Sequence, residues 1–306
     1  MWESPACGGR RGRALLLIGI LRRGRIVMKL TYYGTSAAEG WPALYCNCES
    51  CKTARRLKGK NIRTRSQALV NDDLLIDFPA DTYLHVLNYG LDLDRIMDVI
   101  ITHAHEDHLY IDELANRQPG YIPVRAPQIY NLYGNDTVRQ KYEECCRNPY
   151  NHDFPTVVAM HELREYEPAQ VRNYTVWPML ADHNQNEKCF IYLIRDGEGK
   201  TLLYAHDTGY LREDVWDFLK GMNVHLDLVS LDCNHGREES SRNHMGIDCD
   251  GRVKQRLLDE GLADGETTFV INHFSHNCRF LSHEEIEEAA KPYGFLVSYD
   301  GMSVEV

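Results

Sequence analysis

Within Thr102-His103-Ala104-His105-Glu106-Asp107-His108, three imidazoles and an aspartate carboxylate fall inside six consecutive positions. Nitrogen and oxygen donors at that density suit a borderline divalent cation. His103 and His105 project to the same side of an extended segment, because side chains alternate there. Asp107 and His108 lie beyond the turn and can address a second cation close by. The apolar run Val99-Ile100-Ile101 before the motif reads as a buried strand, and residues 109–116 after it read as a helix. The motif therefore belongs on a strand-to-helix turn, where the curling backbone lets side chains converge.

A second donor cluster is Cys46-Asn47-Cys48-Glu49-Ser50-Cys51. C-x-C-x2-C is a compact thiolate set of the kind that holds structural zinc, and it needs one more ligand to close a tetrahedron. The chain has ten cysteines in 306 residues, too few and too unevenly spaced for a disulfide scaffold. A thiolate metal motif points instead to a reducing compartment, so a cytoplasmic protein is expected. Cys145-Cys146 has no ligand-like neighbours and reads as packing.

Further polar clusters follow strand-like runs. His183 lies in Ala181-Asp182-His183-Asn184 after a strand at 174–180, and Asp207 in His206-Asp207-Thr208-Gly209 after a strand at 201–205. Between them, a strand at 190–195 turns through Asp196-Gly197-Glu198-Gly199. A strand at 226–232 runs into Cys233-Asn234-His235-Gly236, and Ser241-Arg242-Asn243-His244 follows on a loop. Phe269-Val270-Ile271 delivers Asn272-His273-Phe274-Ser275-His276. Asp77 closes the second strand of a hairpin at 68–76 and reads either as an acceptor for a ligand imidazole or as part of the start of a helix from Asp81. Helices are expected from Asn135 or Asp136 to about Cys146, over 211–219, over 246–262 and from Glu284. Residues 147–156 read as a loop flanking the cleft, and 295–299 as a strand.

Residues 1–27 differ from the rest. Arg10, Arg11 and Arg13 precede an apolar run at 14–21, and Arg22, Arg23 and Arg25 follow it. The run is far short of the roughly 20 residues that span a bilayer, and arginines stand where a signal-peptide cleavage site would be. This reads as a dispensable extension with Met28 as the functional start, a weak membrane or export role being the rival. Residues 28–306 read as one domain. The net charge of -11 argues against a general nucleic-acid binder, although bound divalent cations would still admit an anionic substrate. A basic run, Lys52, Arg55, Arg56, Lys58, Lys60, Arg63 and Arg65, reads either as a solvated surface or as a phosphate-attracting rim. Strands alternate with helices in two successive halves, with histidines at strand ends. That fits an α/β protein folded as a four-layer α/β/β/α sandwich.

The H-x-H-x-D-H stretch resembles the signature of the metallo-β-lactamase superfamily. The resemblance implies that His103, His105 and His183 hold one metal and that Asp107, His108 and His273 hold a second, with Asp207 bridging. Thr31 through Thr35, Gly40-Trp41-Pro42, the three cysteines, Arg242-Asn243-His244, His273 with His276, and Gly294-Phe295 through Asp300-Gly301-Met302 resemble one branch more closely. It is the cyclic phosphodiesterase of the carbon–phosphorus lyase (phosphonate) pathway. That branch implies His276 as the fourth ligand of a structural zinc, with Cys278 and His283 as rivals. Departures are Phe78-Pro79 after Asp77, Asn272 in place of a threonine, and a longer, tyrosine-rich stretch at 110–167.

The implied activity is hydrolysis of a small phosphodiester, including cyclic ribose phosphates. A water bridging two divalent metals (zinc or manganese, with iron as a third choice) would attack phosphorus. His244 would protonate the leaving alkoxide or steady phosphoryl oxygens, with His235 as its fallback, and Asp107 counts among the catalytic residues as well as the ligands. The expected partners are the small substrate and a second copy of the chain, with no nucleic acid and no membrane. Rival readings are a lactonase or β-lactamase, a ribonuclease or a di-iron redox protein of the same fold, and an accessory protein like the pyrroloquinoline-quinone pathway member that shares the cysteine cluster.

Overall fold

The structure, a computed structural model, describes residues 27–123 and 128–306. The extension assigned to 1–27 lies, apart from Val27, outside the described residues. The first half of the chain supplies strands β1 (Lys29–Gly34), β2 (Gln67–Val70), β3 (Leu74–Ile76), β4 (Asp98–Ile100), β5 (Tyr130–Gly134) and β6 (Val158–Glu162). The second supplies β7 (Ala169–Val171), β8 (Tyr174–Leu180), β9 (Phe190–Arg195), β10 (Thr201–Ala205), β11 (Leu228–Asp232), β12 (Ser241–Arg242), β13 (His244–Met245), β14 (Thr268–Asn272), β15 (Leu296–Val297) and β16 (Met302–Glu305). Seven of these form one sheet in the order β16-β1-β2-β3-β4-β5-β6, and seven form another in the order β15-β14-β11-β10-β9-β8-β7. β12 and β13 make a separate two-stranded hairpin. Each large sheet begins as an antiparallel meander and continues by parallel additions: β4 to β6 follow β3, and β11, β14 and β15 follow β10.

Side-chain alternation builds the layers. Phe190, Tyr192, Ile194, Leu202 and Tyr204 share a core with Leu30, Tyr32, Val70, Ile76 and Ile100 of the other sheet. The intervening Ile191, Leu193, Leu203 and Ala205 face outward into a second core. Helices α5 (Glu213–Met222), α6 (Ile247–Asp259) and α7 (His283–Ala290) contribute Trp216, Val253 and Ile286 to that outer core. The outer face of the first sheet packs Val138 and Phe154, from α3 (Asp136–Arg147) and α4 (Phe154–Val157), against Leu75, Val99 and Leu132. Burial on both faces explains why the parallel strands read as unbroken apolar runs. The result is the four-layer α/β/β/α sandwich.

Several local expectations change. Residues 109–116 form a 3-10 segment, Ile111–Arg117, and not an α-helix. Residues 147–156 bury Asn151 and Phe154, and none of them lines the cleft beside His105 and Asp107. The strand expected at 295–299 shrinks to Leu296–Val297, and β7, β16 and the β12–β13 hairpin are additions. Within the basic run, Arg63 is buried: it donates to Thr35 Oγ1 and the Ser298 carbonyl and lies over the Phe274 ring. Cys145 is packed in the core on the outer face of the first sheet, as expected. Among the described residues, no helix is long and apolar enough to cross a membrane.

Candidate metal centre

The donors gather where strands of both sheets end. Asp77 follows β3, residues 102–108 follow β4, His183 follows β8, Asp207 follows β10, and His273 follows β14. Asp77, Asp207 and His273 have φ of 67°, 50° and 62°. The left-handed region is costly for residues other than glycine, and such outliers gather at functional sites. Here the turn redirects each side chain from the strand line towards a common point.

On one side of that point His103 Nε2 lies 2.9 Å from His105 Nδ1, and His183 Nε2 lies 3.4 Å from the same atom. His103 Nδ1 is engaged by Thr102 Oγ1 at 3.1 Å, and His183 Nδ1 faces the Asn243 carbonyl at 3.3 Å. The remaining nitrogens of His103 and His183, both Nε2, thus converge on His105 Nδ1, and the three rings form one of the groups that could hold a cation. Burial, helped by the charge of His108, holds the His103 pKa well below normal, which keeps the imidazole neutral as a ligand must be.

On the other side His108 Nε2 sits 3.2 Å from Asp107 Oδ2 and 3.0 Å from Asp207 Oδ2. His273 Nε2 is 3.1 Å from Asp207 Oδ1. The second set of donors is thus Asp107, His108 and His273, and Asp207 reaches both sets, with His183 Nε2 at 3.6 Å. His108 Nε2, Asp207 Oδ2 and His273 Nδ1 are buried without a hydrogen-bond partner, a costly state for polar atoms. Burial opposes a charge on His108, yet Asp207, Asp107 and Asp77 together raise its pKa well above normal. Three carboxylates around one imidazole demand positive charge, and a divalent cation supplies it. The chemistry of the donor set fits metal.

Asp77 resolves as the acceptor of the two readings. Its Oδ2 takes the His108 Nδ1–H at 2.7 Å, and its Oδ1 takes the Thr102 backbone N–H at 2.8 Å. The carboxylate fixes the His108 tautomer and leaves Nε2 for the centre.

A sequence model described as a β-lactamase superfamily domain matches residues 77–301, most of the chain. The chain belongs to the metallo-β-lactamase superfamily. Solved structures share its fold. A diphosphatase from the PhnP family is 21% identical, with a TM-score of 0.70 over 92% of this chain and 98% of that one. Zn(2+)-bound PqqB from Methylobacterium extorquens is 17% identical (TM-score 0.65, 91% and 100% covered). Human tRNase Z, short form, is 15% identical (TM-score 0.57, 90% and 98% covered). No curated protein matches the chain by sequence.

Superfamily membership implies divalent metals, and the seven expected donors fall into groups that could hold them. Cys46, Cys48, Cys51 and His276 form a separate donor group, with Cys48 Sγ 3.6 Å from His276 Nδ1. Cys278 is buried outside that group, and His283 is held between Arg63 and Glu287. Neither rival joins the cysteines. The group lies at the start of helix α1 (Glu49–Leu57), where Cys48 Sγ accepts the Cys51 N–H.

His244 stands beside the centre: its Nδ1 is 2.9 Å from Asp232 Oδ2 and 4.0 Å from Asp207 Oδ1. Burial lowers its pKa, but Asp232 and then Asp207 outweigh that and lift it to about 9. His235, the fallback, packs edge-on to His244 with ring centroids 5.8 Å apart.

Asp232 was not singled out in the sequence. It also accepts backbone N–H groups of Asp207, Asn234 and Met245 at 2.9, 3.0 and 3.1 Å. The available signal was a carboxylate ending a largely apolar strand. Glu187 was missed too: its Oε1 accepts from the Ala104 N–H at 2.7 Å and Asn135 Nδ2 at 2.8 Å, bracing the metal loop. A cleft of about 590 Å³, lined by His105, Asp107, Tyr110, Arg65 and Lys141 among others, opens from the donors.

Proposed function

We propose that this superfamily member is a dinuclear-metal phosphodiesterase acting on a small, including cyclic ribose, phosphodiester. The observation that carries the reading is the position of Asp207, whose carboxylate lies between two histidine-rich donor sets while the His244–Asp232 pair stands on its flank. His103, His105 and His183 would hold one divalent cation and Asp107, His108 and His273 the other, with Asp207 shared. Bound there, two cations supply a water that ionises near neutral pH and positive charge beside the phosphoryl oxygens. Cys46, Cys48, Cys51 and His276 would hold a zinc of purely structural purpose.

The chain's own residues do the rest. Asp77 and Thr102 hold the His108 ring. Asp232 accepts from His244 Nδ1, which leaves Nε2 as the nitrogen for the substrate, where it would donate a proton to the departing alkoxide oxygen. The cleft beside His105 and Asp107 is large enough for a sugar phosphate and too small to enclose a folded RNA. The diphosphatase and the tRNase Z among its fold relatives are named for hydrolysis at phosphorus or on RNA, which supports the class of reaction.

The test is hydrolysis of bis(p-nitrophenyl) phosphate and of ribose cyclic phosphates, with metal content determined on the same sample. Turnover with two active-site metals and one zinc per chain is expected, and Asp207→Ala is expected to abolish turnover and lower bound metal. Full metal occupancy without diester turnover would favour a lactonase or an accessory role.

A further inference from the structure

Three separate loops meet at Asp182, the residue before the candidate ligand His183. Its Oδ2 accepts from Arg242 Nε at 2.6 Å and its Oδ1 from Arg242 Nη2 at 3.1 Å, a two-pronged pair. The Asn243 N–H also points at Oδ2, at 3.4 Å. The Asp182 backbone is tied to the loop that carries Asp207: its N–H donates to Thr208 Oγ1 at 3.0 Å, and its carbonyl accepts from the Gly209 N–H at 3.0 Å. That loop is tied in turn to the hairpin, where the Tyr210 N–H donates to the Ser241 carbonyl at 2.9 Å. A Cβ on Gly209 would lie 2.5 Å from the Ser241 oxygen, 2.7 Å from Asp182 Oδ2 and 2.8 Å from Arg242 Cα. The loops touch closely enough there that only glycine fits.

The hairpin so held has two roles at the centre. Its tip, Asn243, has a φ of 65° and turns its carbonyl to His183 Nδ1 at 3.3 Å. Its next residue is His244, whose ring centroid is 5.0 Å from that of His183. Two residues on each strand make a ladder too short to be rigid alone. Asp182 is a member of none of the donor groups, so its carboxylate acts elsewhere than on a cation.

We propose that Asp182 is a positioning residue that, through Arg242, clasps the β12–β13 hairpin so that His183 and His244 are oriented together. With the clasp intact, the Asn243 carbonyl holds the His183 proton on Nδ1 and presents Nε2 to the centre. Arg242 is largely exposed, and an exposed ion pair adds little to global stability. The clasp therefore acts on geometry, not on the fold. This inference rests on the reading of His183 as a metal ligand and of His244 as the proton donor.

The experiment uses the full chain as Asp182→Ala, Arg242→Ala, the double variant and the charge swap Asp182→Arg with Arg242→Asp. The first readout is Zn(II) affinity by chelator competition, which needs no substrate. The second is kcat and KM on bis(p-nitrophenyl) phosphate, and the third is thermal unfolding of the metal-free protein. Each single variant should lose about 10- to 100-fold in affinity at one site and fall in kcat with little change in KM. The double variant should be no worse than either single one, the swap should recover part of the loss, and the metal-free unfolding temperature should stay within about 2 °C. Wild-type Zn(II) affinity in both single variants, or additive losses in the double variant, would overturn the clasp. So would a rise in KM alone for Arg242→Ala, which would make Arg242 a substrate contact. If the wild type binds Zn(II) but turns over no diester, the phosphodiesterase reading fails while the affinity arm still judges the clasp; a wild type that binds no Zn(II) defeats both.

Discussion

His244 Nδ1 lies 2.9 Å from Asp232 Oδ2, and that same oxygen accepts the backbone N–H of Asp207 at 2.9 Å. One buried carboxylate thus orients the candidate proton donor and anchors the candidate bridging ligand. His244→Ala should lower kcat by about 10²- to 10⁴-fold, the range for a lost general acid, with active-site metal retained. Asp232→Asn should reduce kcat and also loosen metal, because it disturbs both ends. Steady-state kinetics on a diester with metal analysis of each variant checks this. Equal metal loss in the two variants would make His244 a ligand instead.

Asp77 can be separated from its strain. Asparagine tolerates the left-handed backbone that Asp77 adopts at φ 67°, so Asp77→Asn removes the charge with little conformational cost. The His108 Nδ1–H then meets a weaker acceptor, and metal affinity should fall by roughly 10- to 100-fold. Chelator competition against the wild type measures it.

The cysteine group is tied to the segment that follows the His273 ligand: its fourth member, His276, is three residues further along, and Ser275 Oγ is hydrogen-bonded to Glu39. Cys48→Ser or His276→Ala should remove one zinc per chain and lower the unfolding temperature. Activity should fall in step, since the loop carrying His273 loses its brace. Metal analysis and calorimetry on the same samples test the coupling, and full activity in a chain lacking that zinc would break it.

Stability should depend on pH through His85. Its Nδ1 is 2.6 Å from Gln67 Oε1 and its Nε2 2.8 Å from Thr64 Oγ1, and burial pushes its pKa down to about 4. The unfolded chain takes up a proton near pH 6.5 that the folded chain refuses until about pH 4. Stability therefore rises with pH between those values and is flat above them. The contribution lost on acidification is about 3 kcal/mol. His85→Asn keeps a donor for Gln67 and removes the titration, so denaturant unfolding of the variant should show a shallower slope across that window.

How far the protein was legible follows from sequence distance. The turn after β4 was readable because its four donors are local: strand alternation and one turn bring them together whatever surrounds them. The strands β8, β9, β10, β11 and β14 were readable because burial on two faces leaves long apolar runs. The C-x-C-x2-C group was readable for the same local reason. Asp77, by contrast, stood undecided between two roles until β3 and β4 were seen side by side, with the strand ends delivering Asp77 and His108 to each other. The 3-10 form of Ile111–Arg117 and the inward packing of Phe154 likewise depended on neighbours that no local pattern names.

Asp232, Glu187 and Asp182 mark the boundary most clearly. Each is an ordinary carboxylate in sequence, and each becomes specific only through partners separated by 12, 83 and 60 positions, namely His244, Ala104 and Arg242. By itself the sequence determined the superfamily, the candidate donors and the order in which strands deliver them, because periodicity and short spacing are written into neighbouring residues. Only the tertiary structure decided which carboxylates hold those donors in place. A hydrogen bond depends on distance and angle in space, and two loops from different strands acquire those only when both sheets are packed.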